Sequence, residues 1–169
     1  VLAFTGVTFA SGSTLYIGGT GAPRIPSSVE GNVEWASSGG GSFLNSSSNT
    51  IKGNLIVSNG TGINNGSGGS ARSLLINGNL ILSGGQYNPL GKPGSGTTAM
   101  STTVNGNVYL SGSGKLYGAQ PGAGAGAGTL NIKGNIYIQD PSTAVVLSGG
   151  AALKGILNLN GSTQQSFNI

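Results

Sequence analysis

The sequence predicts an all-β chain wound as a right-handed parallel β-helix (a β-solenoid), with about seven coils of 21–28 residues and the longer loops on one side. Three observations lead there. A short phrase centred on Gly-Asn recurs along the chain, its copies are spaced in the twenties, and apolar residues alternate with polar ones around each copy. Spacings of that size suit one circuit of strands and turns, and a single circuit cannot hide its own apolar face. Residues 1–169 are expected to form one solenoid domain, a segment of a larger surface protein or a filament subunit.

The phrase first reads Val29-Glu30-Gly31-Asn32-Val33-Glu34-Trp35 and then Ile51-Lys52-Gly53-Asn54-Leu55-Ile56-Val57. It returns as Ile76-Asn77-Gly78-Asn79-Leu80-Ile81-Leu82, Val104-Asn105-Gly106-Asn107-Val108-Tyr109-Leu110 and Ile132-Lys133-Gly134-Asn135-Ile136-Tyr137-Ile138. A sixth copy, Leu153-Lys154-Gly155-Ile156-Leu157-Asn158-Leu159, lacks only the asparagine. A shortened copy opens the chain, where Val7 to Tyr16 aligns on Val108 to Tyr117. Taking Val7, Val33, Leu55, Leu80, Val108, Ile136 and Leu157 as equivalent gives spacings of 26, 22, 25, 28, 28 and 21 residues.

Strand alternation turns three columns inward. The first holds Val29, Ile51, Ile76, Val104, Ile132 and Leu153; the second Val33, Leu55, Leu80, Val108, Ile136 and Leu157. The third holds Trp35, Val57, Leu82, Leu110, Ile138 and Leu159. Gly-Asn reads as a corner, because glycine tolerates positive φ and asparagine suits turns. Stacked corners would align Asn32, Asn54, Asn79, Asn107 and Asn135 in an amide-to-amide ladder. The polar stretches Ser37 to Asn49, Asn59 to Ala71, Gln86 to Thr102 and Gly118 to Gly128 read as loops on one side.

Charged residues are only 6% of the chain, against about 25% in an average globular domain. The net charge of +4 comes from scattered lysines and arginines, with no basic run and no interleaved aromatics, so nucleic acid is not an expected partner. Cysteine is absent, which excludes disulfides and thiolate chemistry, and no apolar run approaches a membrane span.

Chemistry-bearing residues are few. The acids are Glu30, Glu34 and Asp140, and histidine is absent. Glycosidases need two carboxylates flanking one bond; Glu30 and Glu34 are separated by the corner and both point outward. Metal sites need clustered acids or histidines, and the many serines have no base to activate them. No catalytic residue, cofactor or metal is expected. The outward column Glu34, Ile56, Ile81, Tyr109, Tyr137, Asn158 carries four consecutive large apolar or aromatic side chains. It reads as a partner or glycan contact, or as ordinary cross-strand packing. Trp35 falls inward, whereas Tyr87 reads as a loop residue open to a partner. Asn45, Asn59, Asn65 and Asn160 head glycosylation sequons, a weak signal in so Asn- and Ser-rich a chain.

Leu74 to Gly85, Val104 to Gly112 and above all Leu157 to Phe167 resemble the repeats of large adhesin-like surface proteins of Bacteroidota, exported by the type IX secretion route. The resemblance is to a style of repeat and covers most of the chain, without the sorting domain such proteins carry. It implies an extracellular, cell-surface protein with roles in adhesion, gliding or biofilm; filament formation by stacking is expected instead from the lack of an obvious polar cap on the repeats. Partners would then be copies of itself, end to end or lateral, surface glycans or secretion machinery. The alternative is a carbohydrate-binding or carbohydrate-active β-helix of the pectate-lyase or tailspike type.

Overall fold

The computed structural model describes residues 8–21, 23–42, 44–60, 63–65, 67–68, 71–88, 92–93, 100–117, 128–140, 144–146 and 155–168. Among these residues there is no helix and the sheets are built from parallel strands. The first sheet runs Thr14–Ile17, Asn32–Trp35, Leu55–Val57, Leu80–Leu82, Val108–Leu110, Ile136–Ile138 and Phe167–Asn168. A second joins Gly41–Ser42, Ile63–Asn64, Gln86–Asn88, Lys115–Tyr117 and Ala144–Val146. The third joins Ser28–Val29, Ser48–Ile51, Arg72–Ile76, Met100–Val104, Gly128–Ile132 and Gly155–Leu159. Ser67–Gly68 pairs separately with Lys92–Pro93. Each sheet takes its strands in sequence order, one per copy, an architecture consistent with a β-solenoid.

The register of the five central copies is the one the phrase implies. Val33, Leu55, Leu80, Val108 and Ile136 are successive partners, and so are Val29, Ile51, Ile76, Val104 and Ile132. All ten side chains are 0% exposed, so these columns form the dry interior. Trp35, Val57, Leu82 and Leu110 join them, and Ile138 packs against the same cluster. A parallel stack places like residues over like, which is why aliphatic columns give a continuous core.

Both outer copies are shifted from the sequence expectation. Leu15, not Val7, pairs with Val33, and Ser13-Thr14 stand where later copies have Gly-Asn. Val7 lies outside the described residues, as does Leu153. At the other end Gly155–Leu159 pairs with Gly128–Ile132, so Leu157 sits opposite Leu130 and Leu159 opposite Ile132. The true last corner is Asn160-Gly161, and Phe167 takes the place opposite Ile136. The stretch around Gly155 keeps the apolar phase and the glycine of the phrase, while an insertion, Ser162 to Gln165, separates the real corner from its strand. With Leu15, Val33, Leu55, Leu80, Val108, Ile136 and Phe167 equivalent, the spacings are 18, 22, 25, 28, 28 and 31 residues. The circuits lengthen along the chain while the strands stay in register.

Three of the four stretches read as loops contribute strands. Gly41–Ser42, Ile63–Asn64 and Gln86–Asn88 belong to the second sheet, and Ser48–Ile51 and Met100–Val104 begin within those stretches. Ile63, Tyr87 and Leu116 are buried from this side, closing the core. Of Gly118 to Gly128, only Gly128 lies among the described residues, as the first residue of a third-sheet strand.

The role of the phrase glycines also differs. Among the described residues positive φ occurs at Gly12, Gly19, Gly41, Gly60 and Gly112, none of them in a Gly-Asn phrase. The phrase glycines are needed for close approach instead. A Cβ on Gly106 would lie 2.5 Å from Asn79 Oδ1 and 2.6 Å from the Gly78 carbonyl oxygen, and Gly53, Gly78 and Gly134 are crowded in the same way.

Candidate contact faces and the asparagine ladder

The five asparagines form a ladder, but not through amide-to-amide bonds. Each Oδ1 accepts the backbone N–H of the asparagine in the next copy, from Asn54 to Asn32 at 2.8 Å and from Asn79 to Asn54 at 2.7 Å. Asn107 to Asn79 and Asn135 to Asn107 repeat it at 2.8 Å. Each carboxamide thus satisfies a corner N–H in a half-buried turn. Ser166 takes the asparagine's place in the last corner, its N–H donating to Asn135 Oδ1 at 3.0 Å.

Gln165 lengthens the same network. Earlier phrase glycines donate their N–H to the preceding phrase glycine's carbonyl, as Gly134 does to Gly106 at 3.1 Å. The Gly161 N–H instead donates to Gln165 Oε1 at 2.7 Å, while Gln165 Nε2 donates to the carbonyls of Gly134 and Ile132. The side-chain amide stands in for a peptide group across the insertion.

The outward row of the first sheet brings together Ile56, Ile81, Tyr109 and Tyr137 as successive partners, as the sequence implied. All four are half-buried. Tyr109 and Tyr137 stack with ring centroids 5.0 Å apart and planes 10° from parallel. Their hydroxyls accept from Asn107 Nδ2 at 3.1 Å and Asn135 Nδ2 at 3.2 Å, so the ladder amides also hold the rings upright. Each ring covers one face of the other. The row begins with Tyr16, 63% exposed, and Glu34, whose Oε1 accepts from Ser58 Oγ at 3.0 Å. Asn158 is not in this row; it pairs with Asn131 in the third sheet, and Asn168 pairs with Tyr137.

Tyr87 is not an open loop residue. It lies in a strand of the second sheet, 0% exposed. Its hydroxyl donates to Asn65 Oδ1 at 2.8 Å and lies 3.4 Å from Thr102 Oγ1, which accepts from Asn65 Nδ2 at 2.7 Å. Asn65 is equally buried, so its sequon is closed to a glycan. Burial pushes the Tyr87 phenol well above its ordinary value, outweighing the opposing hydrogen bonds from Thr102 and Asn65. The unfolded phenol ionises near pH 10, so the folded state holds its proton longer. Stability is therefore intact below about pH 10 and falls as pH rises beyond it. Urea midpoints at about pH 9 and about pH 11 should differ less for Tyr87→Phe than for the parent chain. An equal fall in both would refute the assignment.

The three acids remain apart. Glu30 pairs with Lys52 at 2.9 Å with both side chains largely exposed, and Glu34 is held by Ser58. Among the described residues no group of three or more His, Cys, Asp or Glu converges, and no helix is long and apolar enough to cross a membrane. Arg72 donates to the Leu44 carbonyl, and its burial, with Arg24 nearby, lowers its pKa.

Sequence reasoning missed the outward face of the third sheet. Ser48, Ser73, Ser101 and Thr129 are successive partners along one row. A second row runs Thr50, Leu75, Thr103, Asn131 and Asn158. The alternation before each phrase, as in Ser101-Thr102-Thr103-Val104, was the available signal. Against known proteins, no family model, no curated protein and no solved structure matches this chain.

Proposed function

We propose that this chain is a non-enzymatic structural and adhesive element on the outside of a cell, wound as a right-handed parallel β-helix of about seven coils. The observation that carries the reading is the division of labour among its residues. Aliphatic side chains go to one continuous interior and ladder asparagines to the corners. That leaves outward rows of hydroxyls, amides and tyrosines with few charges, a surface suited to contact rather than to chemistry. Glu30 and Glu34 each have a local partner, Lys52 and Ser58, which argues against a carboxylate pair acting on a glycosidic bond.

Display by the type IX route rests on the resemblance of the repeats to adhesin-like proteins of Bacteroidota. Copies of this chain, end to end or side by side, are one class of partner in this reading. Surface glycans and the secretion machinery are the other partners. The test is whether antibody to this chain labels intact producing cells, and whether deleting its coding sequence lowers their attachment. Labelling only after lysis, or glycan cleavage by the purified chain that Glu34→Gln abolishes, would overturn the reading.

A further inference from the structure

We infer that the outward face of the third sheet is a binding surface for a neutral, extended polysaccharide chain lying along the stack. The inference rests on the adhesive reading and names its contact face and ligand class. Parallel register places successive copies about 4.8 Å apart along each row, with rows about 6.6 Å apart, and hydroxyls or amides fill both rows except at Leu75 and at Ile156, which follows Thr129. Ser48, Ser73, Ser101 and Thr129 supply one such row, and Thr50, Thr103, Asn131 and Asn158 most of the next. All are half-buried or exposed, so their polar ends reach solvent while their stems are fixed by the sheet.

Neighbouring amides already hold one another in place. Asn158 Nδ2 donates to Asn131 Oδ1 at 3.0 Å, and Asn105 Nδ2 donates to Asn77 Oδ1 at 2.9 Å at the corner beside this face. Ordered donors and acceptors lower the entropy lost when a flexible polymer docks. A sugar hydroxyl both donates and accepts, and so do serine, threonine and asparagine side chains.

Charge selects the class of polymer. The Lys52 ammonium is met by Glu30 at 2.9 Å and Arg72 is turned onto the Leu44 carbonyl. No side chain of either row is charged, from Ser48 to Thr129 or from Thr50 to Asn158, so the face offers a polyanion no line of counter-charges. Shape selects a single chain over a crystal plane. Leu75 and Asn131 occupy the same row as Thr50 and Thr103, so the row is uneven and would not seat a flat lattice such as ice. The tyrosine row of the first sheet is the weaker candidate, because one face of each ring is taken by the other and both hydroxyls already accept from ladder asparagines.

The test is affinity electrophoresis of the whole chain in gels containing soluble neutral β-glucan or glucomannan, with alginate as the charged comparison. Retardation by the neutral polymers is expected. It should weaken roughly tenfold in Ser101→Lys/Thr103→Lys and fall in the milder Ser101→Ala/Thr103→Val, while Tyr109→Ala/Tyr137→Ala stays retarded. Circular dichroism identical to the parent chain shows that the variants fold. No retardation by any neutral polymer, retardation by alginate alone, freezing-point hysteresis in place of polymer binding, or loss of binding only in the tyrosine variant would each overturn the inference. Surface labelling and cell attachment that persist through such a failure leave the adhesive reading standing, so the two are separable.

Discussion

A Gly106→Ala chain should melt roughly 6–12 °C below the parent, the shift expected of about 3 kcal/mol in a chain of this size. The new methyl would sit 2.5 Å from Asn79 Oδ1 and 2.6 and 2.8 Å from the Gly78 carbonyl oxygen and carbon. Two of these three atoms are backbone, fixed in the ladder by the Gly106 N–H to Gly78 carbonyl bond of 3.0 Å. Neither copy can retreat without pulling its neighbours out of register, so relief by side-chain movement is closed off. Gly21→Ala is the control, since a Cβ there meets nothing within 4 Å and its φ is not positive. It should change stability by no more than about 0.5 kcal/mol. Differential scanning calorimetry decides, and equal melting of the two variants would mean the corner is not crowded. Stacked repeats need not unfold all at once, so hydrogen exchange should also quicken first at corners next to the substitution.

Asn107→Ala is expected to cost about 1–3 kcal/mol, because it leaves the Asn135 N–H without its acceptor at 2.8 Å. The same change removes the Nδ2 donor to the Tyr109 hydroxyl. Asn107→Asp separates the two roles, since a carboxylate still accepts from Asn135 but donates nothing to Tyr109. It should therefore retain part of the stability that alanine loses. Asn105→Ala, two residues away, removes a half-buried side chain bonded only to the exposed Asn77 amide and should stay within about 0.5 kcal/mol. Urea unfolding of the three variants checks the order. Should Asn105→Ala and Asn107→Ala prove equal, the ladder would be surface ornament rather than support.

The middle of this fold was legible in sequence and its margins were not. From Val29 to Ile138 each phrase keeps apolar residues in the same phase about Gly-Asn, and that phase is the register the sheets adopt. The outer copies defeat the same reading because chemistry substitutes there. Ser13-Thr14 replaces Gly-Asn in one, and in the other Ser166 and the Gln165 amide take over the ladder's bonds after an insertion. The second sheet was invisible because its strands are two or three residues long with one or two inward positions each, too short for alternation to appear. Tyr87 illustrates the cost: flanked by Gly, Gln, Asn and Pro it looks like a loop, yet its partners Asn65 and Thr102 are 22 and 15 residues away in sequence. Of the contact faces, the tyrosine row could be listed from spacing, but its mutual stacking could not. The hydroxyl rows were hidden by a composition in which serine and threonine mark loops as often as strands.

The widening circuits bear on how the chain assembles. Once one layer is in place, its row of asparagine oxygens and open strand edges is a template on which the next circuit can close. Closure entropy grows only with the logarithm of loop length, so going from a 22-residue to a 31-residue circuit adds about 0.3 kcal/mol. Length at the bends is thus nearly free, whereas a misplaced atom at the corner is not. Sequence drift should accumulate in the former and be refused by the latter.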